Sequence, residues 1–191
     1  MEDNKKYFEF LKNRSVLGRL YRKIYLYPKL SRLLNGRMLD IGCGIGDMLA
    51  FRPNSVGVDV NPFNVAFCKA HGFDALEMPF DQLPFADNTF DSVLLDNVLE
   101  HISNPTPLFC EIRRVMRQDA VLLIGVPGLK GQSSDQDHKI FYDEAKLSAL
   151  AVQLGFDVKC LTHTPLVKSK ILSRYLRQYC IYTQWSMKAS A

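Results

Sequence analysis

Residues 38–49, Met-Leu-Asp-Ile-Gly-Cys-Gly-Ile-Gly-Asp-Met-Leu, run from an apolar strand through three alternate glycines toward a helix. Gly42, Gly44 and Gly46 let the backbone turn tightly and approach a ligand closely. Strand, glycine turn and helix N-terminus together form the nucleotide site of doubly wound folds. The acids around the turn narrow the choice of ligand. Asp40 stands just ahead of the glycines, where a carboxylate repels a pyrophosphate and attracts an ammonium group. The dinucleotide fingerprint counted from Gly42 needs a glycine at position 47, but Asp47 stands there and the third glycine falls at Gly46. Asp59 lies at the end of a second apolar segment, Ser55–Val60. An acid about 20 residues beyond the glycines can hold both hydroxyls of a ribose. The site therefore wants a ribose and a cation, and no pyrophosphate.

S-adenosylmethionine (SAM) carries both groups and no phosphate. Asp40 and the missing glycine at 47 count against the alternative, an NAD(P)-linked oxidoreductase. At this point the sequence resembles the small-molecule class I SAM-dependent methyltransferases, which share the pattern Leu-Asp-Ile-Gly-Cys-Gly-x-Gly. The resemblance covers residues 37–160. It includes Leu83-Pro84-Phe85-Ala86-Asp87-Asn88-Thr89-Phe90-Asp91 and Val98-Leu99-Glu100-His101-Ile102, in family order and spacing.

The resemblance implies roles for particular residues. Asp40 and the turn Gly42, Cys43, Gly44 and Gly46 would contact the methionine part of SAM. Asp59 would take the ribose hydroxyls, with Val60 against the adenine. Asp96 and Asn97, after the fourth strand, would hold the methionine ammonium, with Asn97 also facing substrate. The adenine end departs from the family. The acid usually found four positions before the Leu of Leu-Pro-Phe is replaced by Pro79, which has neither a carboxylate nor an N–H. Phe80 can pack on adenine instead, and Asp81 is the nearest replacement acid. Methyl transfer needs mainly proximity and orientation, with a base only for a hydroxyl or charged amine. No fixed catalytic residue is expected; His101 and His138 are the candidates, because histidine titrates near neutrality. Tyr7, His101, His138 and Tyr142 are candidates for touching substrate. The last two lie in the long polar stretch Pro127–Tyr142, a loop length that is usually functional or disordered.

The elements that must position these groups alternate. Strands are expected at 37–41, 56–60, 73–78, 90–95, 120–126, 156–161 and 179–187. Helices are expected after Asp47, from Asn61-Pro62 to Gly72, and at 107–116, 143–154 and 169–177. This predicts an α/β, doubly wound, mostly parallel seven-stranded Rossmann-like sheet; the resemblance implies that it ends in an antiparallel hairpin. Residues 1–36 form an N-terminal helical extension, and residues 37–191 the SAM-binding domain. In the extension Leu17, Leu20, Tyr21 and Ile24 follow helical spacing as an apolar stripe, and Pro28 should break or restart the helix. In the resembled family such an extension acts as a lid over the cofactor.

A 191-residue chain with 47% hydrophobic and 23% charged residues is of ordinary globular composition. Five cysteines with no C-x-x-C pair give neither a disulfide framework nor a zinc signature, and no metal site is expected. The charged N-terminus has no apolar leader, and the longest apolar run, Val121–Val126, is too short to span a bilayer. A cytoplasmic setting is expected. The net charge of +4 is uneven: +7 over residues 1–37, −9 over 38–158 and +6 over 159–191. Basic ends attract an anionic acceptor, nucleic acid or a membrane surface, or else lie against the acidic middle. No Asn-Pro-Pro-Tyr motif follows the fourth strand, which disfavours methylation of a nucleobase. The leading reading is a methyltransferase acting on the oxygen or nitrogen of a small or medium-sized molecule. The alternatives are a non-catalytic SAM-binding or partner-regulating protein, and an RNA or protein methyltransferase.

Overall fold

A computed structural model describes residues 1–79, 81–165 and 167–188. Seven strands form one sheet in the order β3-β2-β1-β4-β5-β7-β6. They are β1 (Met38–Ile41), β2 (Ser55–Asp59), β3 (Ala75–Glu77), β4 (Phe90–Asp96), β5 (Met116–Pro127), β6 (Phe156–Thr164) and β7 (Cys180–Met187). The first five pair in parallel, while β7 runs antiparallel to both β5 and β6. Every residue of β1 and β2 is buried, as expected for parallel strands covered on both faces. The chain reverses its direction of travel across the sheet between β1 and β4, the crevice where ligands bind in such sheets.

The helices are α1 (Glu2–Lys12), α2 (Val16–Tyr21), α3 (Tyr27–Ser31), α4 (Asp47–Phe51), α5 (Pro62–Ala70), α6 (Thr106–Val115), α7 (Leu129–Gln132), α8 (Glu144–Gln153) and α9 (Lys170–Tyr175). Their starts follow capping chemistry. Ser15, Asn61, Asp143 and Ser169 each accept a backbone N–H of the first turn. A π-helical segment, Arg22–Leu26, joins α2 to α3. Pro28 therefore sits inside the first turn of α3, where its missing N–H costs little.

One sheet face is covered by α6 and α8. Phe109, Phe156 and Trp185 meet there with ring centroids 5.8–6.1 Å apart. The other face is covered by the N-terminal extension, whose Leu26, Tyr27, Leu30 and Leu34 pack on Met38, Leu94, Leu123 and Tyr182. The expected stripe is corrected here: Leu17 is 79% exposed and Ile24 66%. Helix α5 is covered on two sides. Phe63 and Phe67 receive Phe8 of α1, with centroids 6.2 and 5.7 Å away, while Asn64, Val65 and Cys68 face inward.

The Leu-Pro-Phe-Ala-Asp stretch is held to α6 by one side chain. Arg114 donates to the carbonyls of Leu83 and Phe85 and to Asp87, and is itself gripped by Glu111 through two 2.7 Å bonds. Among the described residues, no helix is long and apolar enough to cross a membrane.

Candidate functional site

The glycine turn leaves β1 directly over β2. Gly42 N and Cys43 N both donate to Val58 O, at 2.8 and 3.1 Å. Gly42 has φ +73°, and a Cβ there would come 2.5 Å from Val98. Gly46 has φ +79° and starts α4. Only glycine fits both demands at these positions.

Asp59, at the end of β2, clasps this turn. Its Oδ2 accepts from Gly44 N at 2.8 Å and from Asn64 Nδ2 at 3.2 Å, and its Oδ1 accepts from Asn61 N at 2.8 Å. Burial raises its carboxyl above the ordinary range, against these three bonds, which favour the carboxylate. Three of roughly four acceptor positions on a carboxylate are thus in use, which leaves about one for a ligand hydroxyl.

Asp40 is buried at the end of β1, and its carboxyl is held well above the usual range by burial, then by Asp96 and Asp59 nearby. The arginines of the region serve other acids. Arg14 reaches Asp47 at 2.9 Å, and Arg22, from the π-helical segment, reaches Asp96 at 3.9 Å. Among the described residues no cationic side chain lies within 4.0 Å of Asp40. A cluster of three carboxylates with one unpaired at its base would be relieved by a bound cation. The site therefore fits a ligand that brings an ammonium or sulfonium charge. Asp96 Oδ1 accepts from Tyr182 OH at 2.7 Å and from Asn97 Nδ2 at 2.8 Å. Asn97 holds φ +57°, a strained conformation that persists where surrounding structure imposes it.

Three cavities adjoin one another at these strand ends. The first, 90 Å³, is walled by Asp40, Gly42, Gly44, Asp47, Asp96 and Arg22. The second, 270 Å³, lies between Gly42, Gly44, Asp59, Val60, Met78 and Leu108. The third, 390 Å³, is lined by Phe10, Tyr21, His101, His138, Arg177 and Tyr182. Tyr7 and Asn97 border all three. Val60 is 51% exposed on the lip of the second.

The structure brings together Asp40, Gly42, Cys43, Gly44, Asp59, Val60, Asp96 and Asn97 from the expected cofactor residues, with Tyr7, His101 and His138 beside them. Gly46 shapes the turn behind them. Phe80 lies outside the described residues. Asp81 is exposed and does not line the second cavity. Tyr142 is a correction as well: it is buried in the core cluster, where burial and then Glu100 push its phenol up, and it lines none of these cavities. Met78 and Leu108 line the second cavity without having been singled out, and Val98, Ile102 and Asp137, which fall in stretches noted above, line it too. Met78 was findable, because it directly follows β3.

His101 and His138 stack edge to face with ring centroids 4.7 Å apart. Burial, then His138, holds His101 below the ordinary histidine range. Behind them lies Glu100, fully buried and pushed up to about 8 chiefly by desolvation.

Comparison with known proteins agrees with this geometry. Residues 39–124 match the family model described as a methyltransferase domain. An uncharacterised protein of Methanocaldococcus jannaschii is 30% identical over 132 residues, which is 63% of this chain and 64% of that one. A probable S-adenosylmethionine-dependent methyltransferase of Mycolicibacterium smegmatis is 28% identical over 147 residues, 70% of this chain and 57% of that one. The chain thus covers less than two thirds of either relative. Among solved structures, a SAM-dependent methyltransferase of Thermotoga maritima, described as a possible histamine N-methyltransferase, superposes with a TM-score of 0.77. It is 18% identical, over 98% of this chain and all of that one. The fold is that of the class I SAM-dependent methyltransferases. Residues 39–124 are thus similar to a methyltransferase domain, and the Mycolicibacterium relative is described as a probable SAM-dependent enzyme.

Proposed function

We propose that this protein is a methyltransferase that binds SAM in the first two cavities and a small acceptor in the third, methylating oxygen or nitrogen. The observation that carries this reading is the meeting of all three cavities at Tyr7 and Asn97. The 90 Å³ and 270 Å³ cavities there open toward a third space of 390 Å³, within the range of small-molecule sites. When bound, SAM supplies a methyl group already activated by a positive sulfur.

The chain then has to bind, orient and exclude water. Asp40 and Asp96 face the cationic end. Asp59 holds the ribose with its remaining acceptor capacity and fixes the glycine turn with the rest. Val60, Met78, Ile102 and Leu108 give the adenine an apolar slot. The α1 part of the 1–36 extension acts as the lid: Phe8 anchors it on α5, Asn61 Nδ2 donates to Asn4 O, and Tyr7 closes the junction. Arg177 stacks on Phe10 at 5.6 Å and has no acid partner among the described residues, which favours an acceptor carrying an anionic group. His101, held below the ordinary histidine range, borders the third cavity and, while its ring nitrogen is unligated, can accept a proton from a hydroxyl or ammonium acceptor. The five described cysteines are all unpaired, in keeping with a cytoplasmic setting.

The test is calorimetric titration with SAM, S-adenosylhomocysteine and NADH, on wild type and Asp59→Ala. Binding of the first two, weakened at least tenfold in the variant, is expected, since a hydrogen bond to a charged group contributes about 1.5–3 kcal/mol. Tight NADH binding without SAM binding would overturn the reading.

A further inference from the structure

The turn after β4 and the loop after β5 bring three ligand-type side chains to one point. A ligating atom from each of Glu100, His101 and His138 lies within 4.8 Å of the others. Two backbone bonds lock the two segments in register, with Lys139 N and Ile140 N both donating to Glu100 O at 2.8 and 3.1 Å. Glu100 is fully buried, and neither of its carboxylate oxygens has a hydrogen-bond partner. His138 Nε2 stands 3.7 Å from Oε1, beyond hydrogen-bonding range. A buried carboxyl in this condition calls for a partner, and an ion is one that would meet both it and the histidine.

The two histidines are already set as ligands. His101 Nδ1 faces Asp137 O at 3.3 Å, and His138 Nδ1 faces Gln132 O at 3.1 Å. A carbonyl only accepts, so each Nδ1 carries the hydrogen and each Nε2 carries the free lone pair. Backbone carbonyls fix ring and tautomer in this way around bound metals. We propose that Glu100, His101 and His138 bind one divalent transition-metal ion on the wall of the third cavity. Two imidazoles and one carboxylate with an open position suit zinc at about 2.0–2.2 Å per ligand, which needs only a small closure of the cluster. Asp135, whose Oδ2 is 3.9 Å from His138 Nε2, is the nearest further oxygen. The open position faces the cavity shared by Tyr7, Asn97 and Arg177. A ligand there would have its oxygen or nitrogen oriented by the metal. That last role rests on the methyl-transfer reading, but metal binding does not.

The test uses the full chain, stripped with a chelator and titrated with Co²⁺ and then Zn²⁺ without SAM. Cobalt is the probe because the protein has free thiols, and a thiolate ligand would announce itself by a strong near-ultraviolet charge-transfer band. One Co²⁺ per chain is expected, with visible bands of nitrogen and oxygen ligation, no thiolate band, and displacement by Zn²⁺. Affinity should fall at least tenfold in Glu100→Gln and in His138→Ala. His101→Ala, at a half-buried position, keeps the comparison readable if a buried variant does not fold. No stoichiometric binding, a thiolate spectrum, or equal affinity in the folded variants would overturn the proposal. A protein that binds SAM but no metal would lose this inference and keep the function above.

Discussion

Asp40 shows how a single carboxyl can couple ligand binding to pH. Burial and two neighbouring carboxylates raise its pKa, so the ligand-free protein holds a proton there at pH values where an ordinary aspartate is charged. A cationic ligand needs the carboxylate, so binding expels that proton. SAM affinity should therefore rise as pH increases through the raised pKa, and Asp40→Asn should flatten the dependence and weaken binding at high pH. Titrations at several pH values in buffers of different ionisation enthalpy measure both the affinity and the released proton. The stability effect has a defined sign. A raised folded-state pKa stabilises below the unfolded value and is lost as pH rises through the folded one, so the ligand-free protein loses stability toward alkaline pH. Asp59 behaves differently, since its carboxylate already takes three bonds. Asp59→Ala should lower stability as well as affinity, by about 1–3 kcal/mol, because buried donors are left unpaired; a denaturant melt without SAM measures this. Both acids were legible as strand-end carboxylates beside glycines. The clasp was not, because its donors belong to backbone and to Asn64, brought close only by the turn and α5.

At the scale of elements, the N-terminal extension is where sequence periodicity misleads. Leu17, Leu20, Tyr21 and Ile24 fit a 3.6-residue repeat, but the π-helical segment at Arg22–Leu26 changes the phase before Pro28. The buried side chains are therefore Leu26, Tyr27, Leu30 and Leu34, while Leu17, Leu20 and Ile24 of the earlier stripe face outward and Tyr21 alone packs inward. Leu30→Ala should cost about 2–5 kcal/mol as a core truncation, and Leu17→Ala less than about 0.5 kcal/mol. Equal effects in equilibrium unfolding would mean that the helices pack in another phase. The same segment aims Arg22 at Asp96, a link across 74 residues of sequence that no local pattern encodes. The opposite end of the extension is tied down by aromatic contact: Phe8→Ala should loosen α1, weaken SAM binding and leave the melting transition of the sheet nearly unchanged. The strands, by contrast, were legible in number and place, because buried parallel strands are short apolar runs between turn residues, although β5 starts four residues early at Met116, β6 runs three further to Thr164, and β3 is only Ala75–Glu77. The antiparallel end of the sheet was legible only through the family resemblance, and the place of β7 between β5 and β6 was not predicted at all.

Over the whole molecule, the uneven charge has a structural use. Arg14 and Arg22 of the basic N-terminal segment meet Asp47 and Asp96 of the acidic middle, so part of the +7 is spent inside the fold near the cation-seeking end. Both ion pairs are partly buried, so they are screened less than surface pairs. Arg177 comes from the basic C-terminal stretch and remains uncommitted on the far side of the third cavity. On the proposed reading opposite charge would separate the two ligands, with carboxylates gathered at the cationic end of SAM and a guanidinium beside the acceptor cavity. Arg177→Ala should raise KM for a carboxylated or phosphorylated acceptor by about tenfold or more, as loss of a charge-assisted contact predicts. SAM affinity should stay unchanged, because Arg177 borders neither the 90 Å³ nor the 270 Å³ cavity. Comparing charged and neutral acceptors of similar shape in wild type and variant reads this directly. An equal loss for both would reduce Arg177 to packing against Phe10, and a loss of SAM affinity would place it in the cofactor site instead.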